Sequence, residues 1–244
     1  MKGSAEMLEI MSNDLVAENV YKMVLCGDLS RITKPGQFVN IKIDGLFLRR
    51  PISVCDKEGD FLTIIYKVVG KGTEEMSRMG KGKKLDVLTG LGNGYSVQES
   101  GNAPLLLGGG VGVPPLLWLA KKLVSEGKKV TAAIGFNSKN EVFLENELRD
   151  AGSDVFVATA DGSYGSKGFV TDIMPQEYSY FYACGPEPML KAVYDKTCTS
   201  GQLSFEERMG CGFGACMGCS CKTKYGFKRI CKEGPVLLKE EIIW

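Results

Sequence analysis

Short apolar segments separated by turn residues fill the N-terminal part of the chain. In one of them Val39, Ile41 and Ile43 share one face, whereas Asn40 and Lys42 lie on the other, which is the period of a half-buried strand. Segments of this kind lie at residues 20–25, 38–43, 50–55, 61–69 and 85–88. Many short strands at this spacing predict a small antiparallel β-barrel or sandwich over residues 7 to about 90.

One short helix is predicted among these strands, over residues 73–79. Thr73 is a suitable N-cap residue, and Glu74 and Glu75 would lie near the positive end of the helix. The helix follows Gly72 directly, so its first N–H groups could receive an anion such as a phosphate.

The pattern changes after residue 90. Residues 90–102, GLGNGYSVQESGN, are rich in Gly, Ser and Asn and mark a domain boundary. Beyond them strands are predicted at 104–107, 129–136, 154–160 and 178–184, with helices at 114–125, 141–150 and 187–197. Such alternation predicts a parallel sheet with crossover helices. The predicted domains are residues 1–95, residues 96–200 and a small third module at 201–244.

The composition is that of an ordinary globular protein, and it narrows the chemistry. There are 30 Lys and Arg against 29 Asp and Glu, and a net charge of +1 argues against a nucleic-acid-binding protein. The 244 residues include no histidine. That excludes Ser-His-Asp and Cys-His catalysis, His-ligated zinc and Rieske clusters.

No segment resembles a signal peptide or a membrane span. The first 15 residues carry acidic side chains where a signal peptide needs an apolar core. The most apolar stretch, residues 103–120, is interrupted by Gly and Pro. We therefore expect a soluble cytoplasmic protein with no membrane partner.

Nine cysteines are present, and five of them fall within residues 211–231. A tight group in a chain of this length indicates a metal site in a reducing compartment rather than a disulfide framework. Cys211, Cys216 and Cys219 have the C-x4-C-x2-C spacing of plant-type [2Fe-2S] ferredoxins, and Cys231 is the better fourth ligand by spacing. The glycines between them suit a loop whose N–H groups point at inorganic sulfide.

Alternatives to this interpretation stay open. Cys221 is a spare thiol that alternates with Cys219 along a predicted strand, and the short gap from Cys219 to Cys231 departs from the plant pattern. A zinc knuckle is the other metal site to consider, although it usually has two C-x2-C pairs and this segment has one. Cations that could offset the negative charge of a cluster follow, at Lys222, Lys224, Lys228, Arg229 and Lys232.

A basic motif in the barrel region, LRRPIS at residues 48–53, is a candidate flavin site. Its arginines beside a small hydroxyl could hold a pyrophosphate and a flavin edge. The alternative is that the two arginines are simply a solvated pair at the end of a strand. The segment Ile65-Tyr66-Lys67 adds an aromatic ring and a cation, and Gly72-Thr73 adds a helix start.

A glycine-rich loop between a strand and a helix is a candidate nucleotide site. Gly108, Gly109, Gly110 and Gly112 would let the backbone approach a phosphate, and Pro114 is well placed at the helix start. The loop is not a strict G-x-G-x-x-G, so a structural tight turn is the alternative.

Two further loops follow predicted strands at the edge of the sheet where ligands bind. One carries Cys184, Gly185 and Pro186, and its thiol could pack against a nicotinamide or be a buried structural cysteine. The other, DGSYG, carries Asp161, which could hold nucleotide hydroxyls.

Together these motifs resemble those of the ferredoxin-reductase-like flavoproteins, and more closely those of the electron-transfer subunits of NAD-dependent (class 1B) dihydroorotate dehydrogenases. The resemblance extends over nearly the whole chain and includes RRPIS, IYK-x4-GT, LGGGVGVPP, DGSYG, CGPEPML and ERMGCGFGAC-x2-C continuing to CKEGPV. It implies a multidomain fold, with a six-stranded flavin barrel, a parallel-sheet nucleotide domain and a small C-terminal [2Fe-2S] module.

The resemblance also implies the residues that bind the cluster and FAD, whereas the NAD candidates come from the loop motifs above. It implies cluster ligands Cys211, Cys216, Cys219 and Cys231. For NAD the candidates are the glycine-rich loop, Asp161 and the loop from Cys184 to Pro186. The implied FAD contacts are Arg50, Pro51, Ile52, Ser53, Ile65, Tyr66, Lys67, Gly72 and Thr73.

The implied function is electron transfer in de novo pyrimidine (UMP) biosynthesis. In the family, dihydroorotate is oxidised on FMN in a separate catalytic subunit, and electrons then cross the cluster to FAD and reach NAD+. A cluster carries one electron, nicotinamide takes two as a hydride and flavin handles both, so this order is chemically sensible. The expected partner is the FMN-containing catalytic subunit in a 2+2 heterotetramer, contacted near Phe213 and Met217. Trp244 is expected to be a frayed terminus.

Two other functions are compatible with parts of the sequence. One is the small subunit of a ferredoxin-dependent NADP oxidoreductase or a sulfide-dehydrogenase-like complex, for which Lys139 and Lys167 are candidate contacts to a 2′-phosphate. The other is a zinc-bearing interaction subunit without flavin, which would require three nucleotide-type motifs to be accidental.

Overall fold

The N-terminal strands close into an antiparallel barrel. The computed structural model describes residues 4–244. Six strands form the barrel: β1 (Ser4–Ala17), β2 (Val20–Cys26), β3 (Phe38–Ile41), β4 (Arg50–Glu58), β5 (Phe61–Lys67) and β6 (Lys84–Leu91). They are hydrogen-bonded in the order β1-β2-β5-β4-β3-β6, so the predicted six-stranded barrel is confirmed. The first strand of the barrel, β1, is also its longest.

Alternation along the strands fills the barrel core with aliphatic side chains. Leu8, Ile10, Met23 and Leu25 are fully buried there, as the period of two requires. Strand β3 departs from the alternation, because all four of its residues are buried. Another part of the chain therefore covers the outer face of β3.

The short helix of the barrel region begins earlier than predicted. Helix α1 spans Lys71–Ser77, and its N-cap residue is Gly70 rather than Thr73. Thr73 lies inside the first turn, where its hydroxyl accepts the N–H groups of Val69 and Gly70 at 2.9 and 3.3 Å. The prediction of an N-cap at Thr73 is wrong because this hydroxyl reaches back to the entering loop instead of forward into the helix.

The second part of the chain alternates strands and helices around one sheet. Its elements are β7 (Pro104–Gly109), α2 (Pro114–Ser125), β8 (Thr131–Phe136), α3 (Glu145–Asp150), β9 (Asp154–Thr159), β10 (Ser166–Lys167), β11 (Tyr180–Cys184), α4 (Glu187–Lys196) and β12 (Gly201–Ser204). These strands pair in parallel, which confirms the α/β prediction. Single 3-10 turns lie at 110–112, 139–141 and 170–172.

The helix predicted over 141–150 is shorter than expected. A 3-10 turn at 139–141 comes first, and Leu144 then adopts a left-handed conformation with φ 64° just before α3. Phe143 and Leu144 are buried, at 7% and 4% exposure. These two buried residues therefore form a turn before α3 instead of its first helical turn.

The C-terminal segment contributes to two sheets. Strands β13 (Ser220–Thr223) and β14 (Gly226–Arg229) form a hairpin, whereas β15 (Val236–Leu238) adds antiparallel to β12. The second sheet therefore has seven strands in the order β10-β9-β8-β7-β11-β12-β15. A 3-10 turn at 239–241 follows, and the Trp244 ring then packs on Tyr194 and Phe205, at centroid distances of 6.1 and 5.8 Å. Trp244 is packed, so the expectation of a frayed terminus is wrong.

Three ion pairs link the barrel to the second sheet and its connecting segments. Lys121, on α2, pairs with Asp56 at 2.5 Å and with Glu58 at 2.6 Å, both at the end of β4. Lys67, at the end of β5, pairs with Glu141 at 3.0 Å. Within residues 4–244, no helix is both long and apolar enough to cross a membrane.

Candidate functional site

Four of the five cysteines of the C-terminal segment lie in two pairs. The Cys211 sulfur accepts the N–H groups of Ala215 at 3.2 Å and Cys216 at 3.4 Å, and the Cys216 thiol lies within hydrogen-bond reach of it. The Cys219 sulfur accepts the Cys231 N–H at 3.4 Å. Among the described residues no three such side chains converge on the position of one ion. Two pairs of thiols are the donor set that two irons of a [2Fe-2S] cluster require, so the segment fits this group.

Backbone donors favour the thiolate form of Cys211. Burial opposes its ionisation, but the N–H groups of Cys216, Phe213 and Ala215 outweigh burial and lower the pKa of Cys211 to about 6. N–H groups directed at sulfur are also what a negatively charged cluster needs from its loop. Cys219 and Cys231 are both 2% exposed and form the buried side of the site.

Two glycines make the tight course of the loop achievable. Gly212 and Gly214 have φ of 77° and 90°, a region that L side chains rarely adopt. A Cβ on Gly212 would overlap the Asn40 side chain, and one on Gly214 would lie 2.6 Å from the Lys232 Cδ. The loop therefore lies directly on the barrel on one side and on the segment after Cys231 on the other.

An ion pair behind the loop holds it in place. The Arg229 guanidinium donates to the Gly214 carbonyl at 2.7 Å and pairs with the Glu233 carboxylate. That pairing lowers the pKa of Glu233 to about 2. Lys228 pairs with Glu241. Two of the five cations expected to offset cluster charge thus have their own carboxylate partners, which the local sequence pattern did not indicate.

The CKEGPV segment is fixed to the linker between barrel and nucleotide sheet. The Asn93 side chain donates to the carbonyls of Glu233 at 3.0 Å and Val236 at 2.7 Å, and its oxygen accepts the Val236 N–H at 3.1 Å. Gly92 has φ 77° and lies against Pro235. The loop at Asn93 was predicted only as a boundary, yet it joins all three parts of the chain.

Cys221 is the fifth cysteine of the segment and belongs to neither hydrogen-bonded pair. It is in β13, opposite Lys228, whereas Cys219 precedes that strand. Burial raises the pKa of the Cys221 thiol. That Cys221 is a spare cysteine stays a prediction.

The flavin motifs come together where β4 begins and α1 starts. A Cβ on Gly72 would overlap the Arg50 guanidinium, so the absence of a side chain there lets Arg50 lie across the helix start. Arg50 donates to the carbonyls of Leu48 and Arg49 and, among residues 4–244, pairs with no carboxylate. A guanidinium without a carboxylate partner, beside a glycine, fits a pyrophosphate.

Other predicted flavin residues have internal partners. The Tyr66 ring is 2% exposed, its hydroxyl donates to Asn13 at 2.9 Å, and burial raises its pKa to about 12. Ile65 is 4% exposed. Lys67 is paired with Glu141. Because these side chains are buried or paired, a cofactor would contact the main chain of this stretch rather than the aromatic face that the sequence suggested. Pro51, Ile52 and Ser53 continue along β4 from Arg50.

The two strand-to-helix junctions of the nucleotide sheet touch each other. They follow β7 and β11, which are neighbours in the sheet. A Cβ on Gly112 would overlap the Cys184 carbonyl, and one on Gly109 would lie 3.2 Å from Pro186 Cδ and overlap the Met189 sulfur. Gly109 and Gly112 are thus required for the close approach of the two loops. Gly108 packs against Val113 in the same way.

Cys184 is a neutral thiol at this junction. Burial raises its pKa to about 12, and the Ser204 and Tyr95 hydroxyls lie within hydrogen-bond reach. Tyr95 also donates to the Ala183 carbonyl at 3.3 Å. Such a group can contact a nicotinamide ring but does not act as a base or nucleophile at neutral pH.

Asp161 lies in the loop after β9 and is linked to the loop after β8. Its carboxylate accepts the Ser163 hydroxyl at 2.7 Å and the Ser163 N–H at 2.9 Å, which lower its pKa. The Ser163 oxygen accepts the Lys139 N–H at 2.8 Å. The two loops thus form one edge on which an ionised carboxylate is available to ribose hydroxyls.

Comparison with known proteins decides the family. Residues 206–243 match the iron–sulfur cluster binding domain of dihydroorotate dehydrogenase B. The chain is 44% identical to the dihydroorotate dehydrogenase B (NAD(+)) electron transfer subunit of Bacillus velezensis, over 96% of this chain and 97% of that protein. It is 43% identical to the subunit of the same name from Fusobacterium nucleatum, with 96% of each covered. The chain belongs to the family of dihydroorotate dehydrogenase B electron transfer subunits.

Solved structures of other flavin-dependent reductases share the fold. A structure described as an NADH-dependent reduced ferredoxin-NADP oxidoreductase superimposes with a TM-score of 0.88 and 30% identity, over 97% of this chain and 90% of that one. A cytochrome P450 reductase from Amycolatopsis shares the fold, with a TM-score of 0.71 at 18% identity over 80% of this chain. The chain is an oxidoreductase component with a ferredoxin-reductase-like fold, and FAD, a [2Fe-2S] cluster and NAD are its cofactors.

Replacing Gly212 by alanine should sharply reduce cluster retention. Gly212→Ala puts a methyl group into Asn40, whereas Gly226→Ala introduces a side chain at a similarly positive φ of 107° with nothing within 4 Å. Both variants carry backbone strain of about 1–3 kcal/mol. We expect iron and sulfide per chain to fall at least threefold in Gly212→Ala and to stay near wild type in Gly226→Ala. Equal iron contents in the two variants would contradict this account of the loop.

Proposed function

We propose that this chain takes electrons from an FMN-containing dihydroorotate dehydrogenase catalytic subunit and delivers them to NAD+, in de novo pyrimidine biosynthesis in the cytoplasm. The observation that carries the proposal is the pairing of Cys211 with Cys216 and of Cys219 with Cys231 beside the barrel. The cluster and FAD, when bound, supply one-electron carriage and the conversion between single electrons and a hydride.

We assign the domains and ligands as follows. Residues 1–95 bind FAD, residues 96–200 bind NAD and residues 201–244 hold the cluster. Cys211, Cys216, Cys219 and Cys231 are the thiolate ligands. Arg50 binds the FAD pyrophosphate, and the hydroxyl of Ser53 and the main chain around Tyr66 and Thr73 complete that site.

The residues of the nucleotide sheet bind and orient NAD+ without transferring protons. The loop from Gly108 to Gly112 admits the pyrophosphate, because its backbone N–H groups and the start of α2 favour an anion. Asp161 accepts ribose hydroxyls. Cys184, which stays neutral because burial raises its pKa to about 12, packs against the nicotinamide. Hydride exchange needs no acid or base, which agrees with a sequence that has no histidine.

The catalytic partner binds next to the cluster. Phe213 and Met217 are large apolar side chains that are 51% and 54% exposed within the cysteine loop. Exposed apolar side chains of this size are typical of protein interfaces. Their place beside the cluster ligands would bring a partner cofactor near the cluster. We propose a complex of two such chains with two catalytic subunits.

The fourth ligand can be tested by comparing two cysteines. Cys231→Ala should cost the chain most of its iron and its long-wavelength cluster absorbance, because an iron loses one of its two thiolates. Cys221→Ala serves as the control and should keep both, since Cys221 lies outside the pairs. FAD content should be unchanged in both variants. The opposite pattern, with loss of iron only in Cys221→Ala, would overturn the ligand assignment.

The partner surface can be tested with acidic substitutions. Phe213→Asp combined with Met217→Asp should weaken binding of the catalytic subunit at least tenfold in a calorimetric titration, because two apolar contacts become charges at the interface. Met217 has φ 61°, a conformation that Asp tolerates better than Met, so the loop should survive.

The matched control for this surface is Phe61→Asp with Phe156→Asp. These side chains are 48% and 50% exposed but lie in β5 and β9, away from the cysteine loop. The control pair should bind the catalytic subunit with wild-type affinity. Undiminished binding by the Phe213 and Met217 variant, at normal cofactor content, would remove this surface from the proposal.

A further inference from the structure

Asn40 is a buried polar side chain that belongs to none of the cofactor motifs. It is 1% exposed, although the alternation of β3 places it on the outer face of the barrel. The cluster loop covers this face. The Asn40 Nδ2 donates to the Cys211 carbonyl at 3.4 Å, and Gly212 lies directly against the same amide. The polar outer position predicted from the sequence is therefore a contact between barrel and cluster loop.

Asn40 also adjoins the flavin motif through strand register. In the β3–β4 ladder Asn40 is opposite Pro51, and Phe38 is opposite Ser53. One residue of β3 thus contacts the first cysteine of the cluster segment and neighbours the strand that carries the flavin motif. Asn40 is therefore a direct contact between the strand beside the flavin motif and the cluster loop.

Arg49 supports the backbone of Asn40. Its Nη1 donates to the Asn40 carbonyl at 3.3 Å and to the Asp86 carbonyl at 3.0 Å, and its Nη2 pairs with the Asp86 carboxylate at 2.9 Å. Asp86 lies in β6, the other neighbour of β3. The first arginine of the LRRPIS motif is therefore committed to holding β3, whereas Arg50 is the one available to a phosphate.

The hydrogen bonding of Asn40 argues against a purely stabilising role. Its Oδ1 is buried and accepts no hydrogen bond from the described residues. An unpaired buried acceptor costs free energy, and an apolar side chain of similar size would remove that cost. If the residue only stabilised the fold, an apolar side chain would serve better than asparagine. Asparagine is the better choice if the side chain has to orient the Cys211 carbonyl.

We propose that Asn40 is a positioning residue for electron transfer between the flavin and the cluster. Its amide fixes the Cys211 end of the cluster loop on the strand next to the flavin motif. It thereby sets both the separation of the two cofactors and the hydrogen bonding around the first thiolate. The inference rests on the proposed assignment of Cys211 as a cluster ligand.

The test uses the full chain loaded with FAD and cluster, and compares wild type with Asn40→Leu. Each protein is mixed anaerobically with NADH, and the flavin and cluster bands are followed separately by stopped flow. The electron paramagnetic resonance spectrum of the reduced cluster and the thermal unfolding midpoint are also recorded. The matched control is Thr89→Val, because Thr89 is a fully buried residue of β6 whose hydroxyl is likewise unpaired.

In Asn40→Leu we expect flavin reduction by NADH to stay within twofold of wild type. Reduction of the cluster after the flavin should slow at least fivefold, the resonance spectrum of the cluster should shift, and the unfolding midpoint should not fall. Thr89→Val should leave both rates and the spectrum unchanged. The inference would be overturned by an Asn40→Leu protein that has normal cluster content, an unchanged rate of cluster reduction and an unchanged electron paramagnetic resonance spectrum.

A second variant keeps the test decisive if Asn40→Leu does not retain its cluster. Arg49→Gln leaves the buried Asn40 amide in place and removes the support of its backbone. The rate of cluster reduction after the flavin should therefore fall at least twofold. An unchanged rate of cluster reduction in Arg49→Gln would then overturn the inference. Failure of the proposed function is separate, because it would appear as wild-type protein without any [2Fe-2S] resonance signal.

Discussion

The packing of the C-terminal segment on both the barrel and the nucleotide sheet is the interaction on which the rest of the arrangement depends. The rate of electron transfer falls steeply with the distance between cofactors. Cofactors bound to separate parts of the chain must therefore be held at a fixed distance from each other. Here β15 extends the nucleotide sheet, Asn93 joins the CKEGPV segment to the linker, and the cysteine loop lies on the outer face of β3. The cluster module is therefore built into the surfaces of the other two units.

Glycine at particular positions makes these close contacts sterically achievable. Gly212 admits the barrel amide, Gly72 admits the Arg50 guanidinium, and Gly112 admits the loop of Cys184. In each case a Cβ would overlap a group from a distant part of the chain. The clustering of glycine near the sequence motifs thus has a physical cause besides any ligand: close approach of another part of the chain.

Much of this organisation could be predicted from the sequence, because strand alternation, strand–helix alternation and cysteine spacing are local signals. The barrel, the parallel sheet and the cysteine-rich module all follow from such patterns. Contacts between distant residues have no local signal. Asn40 looked like an exposed strand residue, and Arg49 could not be told from Arg50 until Asp86 was placed beside it. Thr73 was given the wrong capping role, since its true partners precede it in the chain.

In the proposed electron path the flavin lies between the nicotinamide and the cluster. The decisive experiment is anaerobic stopped-flow mixing of the loaded chain with NADH, with the flavin and cluster absorbance bands followed together. The flavin band should bleach first and the cluster band should follow. Loss of the cluster band before the flavin band would contradict this order. A second contradicting result would be a cluster that stays oxidised with NADH, although a chemical reductant poised at the potential of NADH reduces it.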